Sequence, residues 1–178
     1  GYTLGQVVEA VAALYHEQPS FHRRRFFHGK SLHGTGQPEL VWLEPSGVEM
    51  SNDAWNAPYV RCLGLQMAGG KIDVDEYGDP IIGDAILILF NADHAGEIEF
   101  TLPPLETGKP WHRRLDTALD DDPDGEDGTE MSSGKYALQR CSMAVFTSPV
   151  PSVDEHPVLE AEKLPTTIAD DVPAARKR

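Results

Sequence analysis

DAILILFNADHAGEIEFTL, residues 84–102, is the stretch of this sequence that decides its fold class. Its first half, the unbroken apolar run 85–90, is typical of a strand that is buried on both faces. Its second half, 97–102, alternates polar and apolar residues until two prolines end it, as a strand with one solvated face does. The residues between them, 92–96, have turn chemistry, so the sequence predicts a β-hairpin.

The rest of the chain adds short strands that are separated by turn signals and do not alternate with helices. The predicted strands are 39–43, 59–67, 111–115, 135–138 and 141–146, with a short capped helical turn at 51–55 and an acidic loop at 71–83. This pattern predicts an all-β fold, an antiparallel β-sandwich, rather than a parallel sheet covered by helices.

One amphipathic helix precedes the strands. Apolar residues recur every three or four positions between Leu4 and Tyr15, Thr3 is available as an N-cap, and Pro19 follows closely, so we predict a helix over 4–16. At the other end, prolines and charges without periodicity predict a disordered, flexible C-terminal tail. The predicted organisation is a helix at 1–19, a connecting segment at 20–38, a β-sandwich domain at 39–147 and the tail at 148–178.

Size and charge limit the function classes. With 178 residues the chain is long enough for one domain with a real core, and its net charge of -14 disfavours nucleic acid and anionic membrane surfaces as partners. No apolar run approaches the roughly 20 residues of a membrane span, and no secretory signal begins the sequence. We therefore expect a cytoplasmic protein with no nucleic-acid or membrane partner.

Candidate catalytic and metal-binding residues are sparse in the sequence. Asp84 is the only acid beside a long apolar run, and we interpret it as a solvated group at a strand edge. The acidic loop 120–130 matches the first positions of a calcium-binding EF-hand loop, but Met131 stands where the last ligand should be, so a solvated insertion is the favoured interpretation. The histidines lack zinc-ligand spacing. We predict no catalytic residue, no metal and no cofactor.

Two cysteines and three tryptophans complete the candidates. Cys62 and Cys141 lie in strand-like segments and are interpreted as buried small hydrophobes, although a single disulfide between them stays open. Trp42 and Trp111 are expected in the core, because both lie in predicted strands. Trp55, in a polar turn, is the candidate for exposure, and with Tyr59 it forms the candidate carbohydrate-binding site, although packing onto the sandwich is the favoured role for Trp55.

Six motifs in a fixed order add a family resemblance. They are PSFHRRRFFHG at 19–29, VWLEPSGVEM at 41–50, DAW at 53–55, RCLGL at 61–65, LILFNA at 87–92 and WHRRLDT at 111–117. This set resembles the C-terminal part of bacterial glycogen debranching enzymes of the isoamylase type, in the α-amylase superfamily.

The resemblance implies a fold and a role. The helix at 1–19 resembles the last helix of a catalytic (β/α) barrel, and 39–146 resembles the β-sandwich that follows it. The family hydrolyses α-1,6 branch linkages in glycogen-like polymers with carboxylates on barrel strands upstream, so no catalytic residue is carried over to this chain. The chain is then a non-catalytic accessory domain or fragment whose partner is the catalytic barrel.

Two other functions stay open. One is a free-standing module that binds glycogen or another α-glucan, and the other is a structural or interaction domain with a protein partner. An exposed apolar stripe on the helix, formed by Val7, Val8, Val11 and Leu14, would favour the docked domain, because isolated proteins rarely leave such a face in water. Exposed coplanar aromatic rings would favour the sugar-binding module.

Overall fold

The computed structural model describes residues 3–23, 27, 38–58, 60–105, 107–119 and 128–150. Within these ranges the chain forms helix α1 (Leu4–Glu17), a 3₁₀ turn (Pro19–His22) and a short helix α2 (Asn52–Asn56). The strands are β1 (Leu40–Leu43), β2 (Cys62–Met67), β3 (Gly70–Val74), β4 (Pro80–Gly83), β5 (Ala85–Asn91), β6 (Ile98–Thr101), β7 (His112–Asp116), β8 (Thr129–Glu130), β9 (Lys135–Leu138) and β10 (Ser142–Ser148).

The largest sheet is antiparallel throughout, with the strand order β1-β2-β5-β10-β7-β8. β5 and β10 lie in its middle, which explains why β5 is a nearly continuous apolar run and why almost every residue of β10 is buried. The other strands form two ribbons, β3 with β4 and β6 with β9. The predicted class, antiparallel and mostly β with an N-terminal helix, is therefore confirmed.

The two faces of this sheet carry different cores. On one face, the β6–β9 ribbon covers a cluster that includes Leu87, Leu138 and Phe146, all fully buried. On the opposite face, Leu14 of α1 packs with Ile86 and Val145 of the central strands. Burial of one such side chain stabilises the fold by about 1.5–3 kcal/mol. Several buried side chains on each face therefore hold the covering layer in place. The arrangement has three layers: ribbon, sheet and helix.

One cross-strand row shows how far the helix-side face extends. The pairing register places Trp42 opposite Leu65, Leu65 opposite Ile88, Ile88 opposite Val145, and Val145 opposite Leu115. Side chains directly opposite each other lie on the same face of a sheet. The row therefore runs from the β1 edge to the part of the sheet that α1 covers.

The predicted hairpin over 84–102 is wrong. β5 pairs with β2 and β10, whereas β6 pairs with β9, so residues 92–97 carry the chain from one layer to the other. Asn91 fixes this crossing: its buried side-chain amide donates to the backbone oxygens of Gly96, Leu138 and Gln139 at 3.1, 3.1 and 3.0 Å. Both edges of β5 are already paired, which leaves no edge for β6 to join.

The predicted loop at 71–83 is also wrong, because it contains the β3–β4 hairpin. The carboxylate of Asp75 closes its turn by accepting hydrogen bonds from the backbone N–H groups of Tyr77 and Asp79, both at 2.9 Å. Gly78 adopts a φ of 91°, which a residue with a Cβ atom rarely does. Of the acidic residues that suggested a loop, Asp73 is therefore half-buried in β3 and the others lie in the turn.

Other predictions differ in extent. The helix predicted over 4–16 is confirmed as Leu4–Glu17, and the predicted helical turn is α2. The predicted tail begins too early, since Ser148 is the fully buried last residue of β10. The rest of the tail, 151–178, and residues 120–127 of the acidic loop lie outside the described residues. Over the ranges that are described, no helix is long and apolar enough to cross a membrane.

Candidate docking surface

Helix α1 begins at a capping box. The hydroxyl of Thr3 accepts a hydrogen bond from the backbone N–H of Gln6 at 3.4 Å, and the side-chain oxygen of Gln6 accepts one from the backbone N–H of Thr3 at 2.9 Å. Each bond satisfies a donor that the first turn of a helix leaves without an intrahelical partner. The sequence therefore fixes where the helix starts without help from a neighbouring element.

The inner side of α1 packs on the sheet through Ala10 and Leu14. Another side of the helix carries a stripe of four apolar residues, which we call the outer stripe. The exposed fractions are 81% for Leu4, 59% for Val8, 42% for Val11 and 47% for Tyr15. Spacings of four, three and four residues place these side chains on one helix face.

The outer stripe contains two of the four residues whose exposure would favour a docked domain. Val8 and Val11 are exposed, but Val7 is half-buried and Leu14 is buried against the sheet. Leu4 and Tyr15 take their places. The spacing of the apolar residues in the sequence contains this information, because the stripe from Leu4 to Tyr15 and the inner row at Ala10 and Leu14 are distinct faces of one helix.

An ion pair holds the C-terminal end of α1 on the sheet. Arg114 of β7 donates from its two terminal nitrogens to the two carboxylate oxygens of Glu17, at 2.8 and 2.6 Å. This hydrogen-bonded guanidinium lowers the pKa of the Glu17 carboxyl below its ordinary value. Two parallel bonds fix the orientation of the partners as well as their distance.

The residues that follow α1 add further bonds to the sheet. The buried amide of Gln18 donates to the carboxylate of Asp84 at 3.2 Å, and the hydroxyl of Ser20 donates to the backbone oxygen of Asp84 at 3.4 Å. Asp84 is therefore half-buried and engaged, not the solvated edge residue that the sequence suggested. These bonds keep the outer stripe pointing away from the sheet.

A second exposed apolar feature is a pair of indole rings at the β1 edge. Trp42 is 37% exposed and Trp55, on α2, is 49% exposed. Their ring centroids lie 5.6 Å apart with an interplanar angle of 78°, an edge-to-face contact. The expectation that Trp42 belongs to the core is wrong, because β1 is an edge strand and the indole of Trp42 remains exposed beside Trp55.

The other sequence candidates fall in different places. Trp55, the candidate for exposure, is exposed, and the core position of Trp111 is confirmed: it is buried and its indole N–H donates to the backbone oxygen of Pro103 at 2.8 Å. Tyr59 lies outside the described residues. Cys62 is buried as expected, whereas Cys141 is exposed, and neither forms a disulfide.

One buried acidic residue had no signal in the sequence. Asp116, at the end of β7, accepts a hydrogen bond of 2.5 Å from the hydroxyl of Tyr136 on the β6–β9 ribbon. Burial, together with this hydrogen bond, raises the pKa of Tyr136 far above its ordinary value. The pair joins two layers of the fold. Over the described ranges, no group of three or more His, Cys, Asp and Glu side chains could hold a metal ion.

Comparisons with known proteins identify the family of the β-rich part of the chain. The family model described as "Isoamylase, C-terminal" matches residues 39–147, which are the strands and α2 without α1. The glycogen operon protein GlgX homolog of Mycobacterium bovis is 33% identical over 129 residues, which are 71% of this chain and 17% of that protein. The homolog from Mycobacterium tuberculosis strain H37Rv matches to the same extent.

A third relative, an isoamylase from a Flavobacterium species, is 29% identical over 100 residues, or 56% of this chain and 12% of that protein. The chain therefore spans less than a fifth of the length of these relatives, at most 17%.

Proposed function

This chain belongs to the isoamylase C-terminal family, and from that premise we propose that it is the non-catalytic accessory domain of a glycogen debranching glycosidase acting on α-1,6 branch linkages. Its role is to pack on a catalytic (β/α) barrel and to support the barrel at the rim of the substrate cleft. The cytoplasmic location expected from the sequence is part of this proposal.

The observation that carries the proposal is the outer stripe of α1. Four apolar side chains on one helix face are held outward by the Glu17–Arg114 pair and by the Gln18–Asp84 bond. A preformed apolar surface loses little conformational entropy when it binds. Such a face is typical of a helix that packs between two bodies of protein, with the sheet on one side and the barrel on the other.

The acidic residues near the apolar strands support a non-catalytic role. Glycosidases of most families need two carboxylates that face each other across a cleft, roughly 5 to 10 Å apart. Asp84 is engaged by Gln18, and Asp116 is buried between the layers with Tyr136 as its donor. Both carboxylates are therefore committed to holding elements together, and neither opens onto a cleft with the other.

The experiment that tests this role is an association measurement. If the proposal is right, the reading frame that encodes this chain also encodes a barrel, which can be produced as a separate polypeptide. Sedimentation velocity should show the two polypeptides migrating together. Val8→Asp should abolish the complex, because it places a charge in the apolar contact. Ala13→Asp, at an exposed position on another side of α1, is the matched control and should leave the complex intact.

A reading frame without a barrel, or an equal loss of association for both variants, would contradict the role. The first result would mean that the chain has no such partner, and the second that the outer stripe does not form the contact.

A second candidate function, binding of an α-glucan, is favoured by the exposed indole of Trp55. The apolar face of a pyranose ring stacks on an aromatic face, and Trp55 offers one at the protein surface. The edge-to-face contact with Trp42 means that the two rings do not form a flat platform. Binding through this site would therefore rest on one ring, with Tyr59 as the second candidate.

Glycogen co-sedimentation tests this candidate. The wild-type chain should be retained, Trp55→Ala should lose retention, and Tyr77→Ala, which removes an exposed aromatic from the β3–β4 turn, should behave as wild type. Equal retention of the two variants would remove Trp55 from any sugar site.

A further inference from the structure

A hollow of about 460 Å³ opens where β5 ends and β10 begins, and the functions proposed above do not use it. Its lining combines apolar side chains with hydroxyl, amide, imidazole and thiol groups: Phe90, Asn91, Ala92, His94, Thr117, Cys141, Ser142 and Met143. The hollow is a shallow depression that is widely open to solvent, so a small molecule can reach the groups that line it.

A thiol and an imidazole meet in this hollow. The Sγ atom of Cys141 lies 3.0 Å from Nδ1 of His94, and both residues are exposed. Cys141 is held in place by a hydrogen bond of 3.2 Å from its backbone N–H to the backbone oxygen of Asp93. Its φ of 50° is uncommon for a residue with a Cβ atom. A nucleophile and a base within hydrogen-bonding distance are the arrangement that activates a thiol.

The other cysteine has the opposite environment. Cys62 is buried in the core, and its thiol donates to the side-chain oxygen of Asn91 at 3.3 Å. Burial raises the pKa of the Cys62 thiol, which keeps it protonated. The chain thus contains one accessible thiol beside a base and one inaccessible thiol, which serves as an internal control.

We propose that Cys141 is a site of reversible modification by low-molecular-weight disulfides, with His94 as the proton acceptor. This inference goes beyond the proposed function and does not depend on it. The chemistry that would recognise the site is a small disulfide whose organic arms fit the partly apolar hollow.

The exchange step balances without another oxidant. The Cys141 S–H proton passes to Nδ1 of His94, and the thiolate sulfur attacks one sulfur of the incoming disulfide. The new S–S bond forms as the incoming S–S bond breaks. The departing thiolate takes the proton from His94 and leaves as a thiol. Cys141 is oxidised, and one half of the reagent is reduced.

One charged group beside this pair, Asp93, already has hydrogen-bonding partners. The carboxylate of Asp93 accepts a hydrogen bond of 3.0 Å from the backbone N–H of Ala95 and lies 3.5 Å from the guanidinium of Arg61. These interactions lower the pKa of Asp93, which makes its carboxylate a weaker base and a poor acceptor for the thiol proton.

The test uses the chromogenic disulfide 5,5′-dithiobis(2-nitrobenzoate) on the folded chain, with mass spectrometry to locate the label. We expect one fast equivalent, on Cys141. Cys141→Ser should remove the fast phase, and Cys62→Ala should keep it. His94→Gln should slow the fast phase by about a hundredfold or more, because a positioned base contributes at least about that much to the rate. His16→Gln, an exposed histidine on α1, should react like the parent chain.

Labelling of the chain unfolded in denaturant tests whether the effect of His94 depends on the fold. There the parent chain and the His94→Gln variant should react at the same rate, because the pairing of thiol and imidazole exists only in the fold. Folding of each variant is checked by circular dichroism. Labelling of Cys62 as fast as Cys141 in the folded chain would overturn the proposal. An unchanged fast rate in folded His94→Gln would also overturn it.

Discussion

Arg114 of β7 and Glu17 of α1 are joined by two parallel hydrogen bonds of 2.8 and 2.6 Å, although 97 positions separate them in the chain. The pair connects the last turn of the helix to the sheet. The side chain of Arg114 is buried, whereas that of Glu17 remains partly exposed. The orientation of the outer stripe of α1 depends on this contact.

Loss of the Glu17 charge should destabilise the fold modestly. Glu17→Gln should lower the free energy of unfolding by about 1 kcal/mol at neutral pH, since a bidentate bond becomes a weaker one and its partner stays buried. Glu9→Gln, an exposed position on the same helix, is the control and should change it by less than about 0.5 kcal/mol. Urea unfolding, followed by circular dichroism, measures both.

The same pair predicts a pH dependence. Because the folded-state pKa of Glu17 lies below its ordinary value of 4.5, its contribution is complete above that value. It is lost as the pH falls through the folded-state pKa. The stability gap between wild type and Glu17→Gln should therefore be constant above about pH 6 and should close under acidic conditions. A gap that widens on acidification would contradict the assignment of the ion pair.

Replacing a side chain by alanine should cost more stability on the inner side of α1 than on the outer stripe. Leu14→Ala removes a buried side chain between the helix and the sheet and should cost about 2–3 kcal/mol of stability. Val8→Ala, on the outer stripe, should cost less than about 0.5 kcal/mol in the isolated chain, because nothing in the described part of the fold buries it. Comparable costs for both variants in urea unfolding would mean that Val8 packs within this chain.

Asn91 should be among the most sensitive polar residues of the fold. Its amide donates to three backbone oxygens at the crossing between layers, and its side-chain oxygen accepts from the backbone N–H of Asp93 at 2.9 Å. Asn91→Ala leaves these buried groups without partners and should cost about 3 kcal/mol or more. Asn56→Ala, an exposed amide on α2, should be nearly neutral. A neutral Asn91→Ala would show that the crossing does not depend on this side chain.

The sequence contained the elements but not all of their pairings. The apolar run of β5 and the alternation of β6 were readable, since burial dictates both patterns. Nothing in the turn between them distinguishes a hairpin from a crossing between layers, because that choice depends on whether β2 and β10 occupy both edges of β5. The fold class therefore followed from local patterns, whereas the strand order required the whole chain.

The exposed apolar residues were also only partly predictable from the sequence. An apolar helix face was expected, but which residues line it depends on how α1 is rotated, and that rotation is fixed by Arg114, far away in sequence. Trp42 was misplaced because a strand pattern does not reveal whether the strand lies at an edge of the sheet. The pair of Cys141 and His94 was missed for a different reason: the two residues are far apart in the sequence, and the fold brings them together.

The central claim is that this chain is a supporting domain. Its outer stripe contacts a catalytic barrel, and the catalytic residues belong to that barrel. This claim is tested most directly by the release of reducing ends from glycogen, measured for the 178-residue chain alone and for the product of the intact reading frame. We predict no release by the chain and clear release by the intact product, which Val8→Asp reduces and Ala13→Asp does not. Release by the chain alone, in proportion to its concentration, would contradict the account.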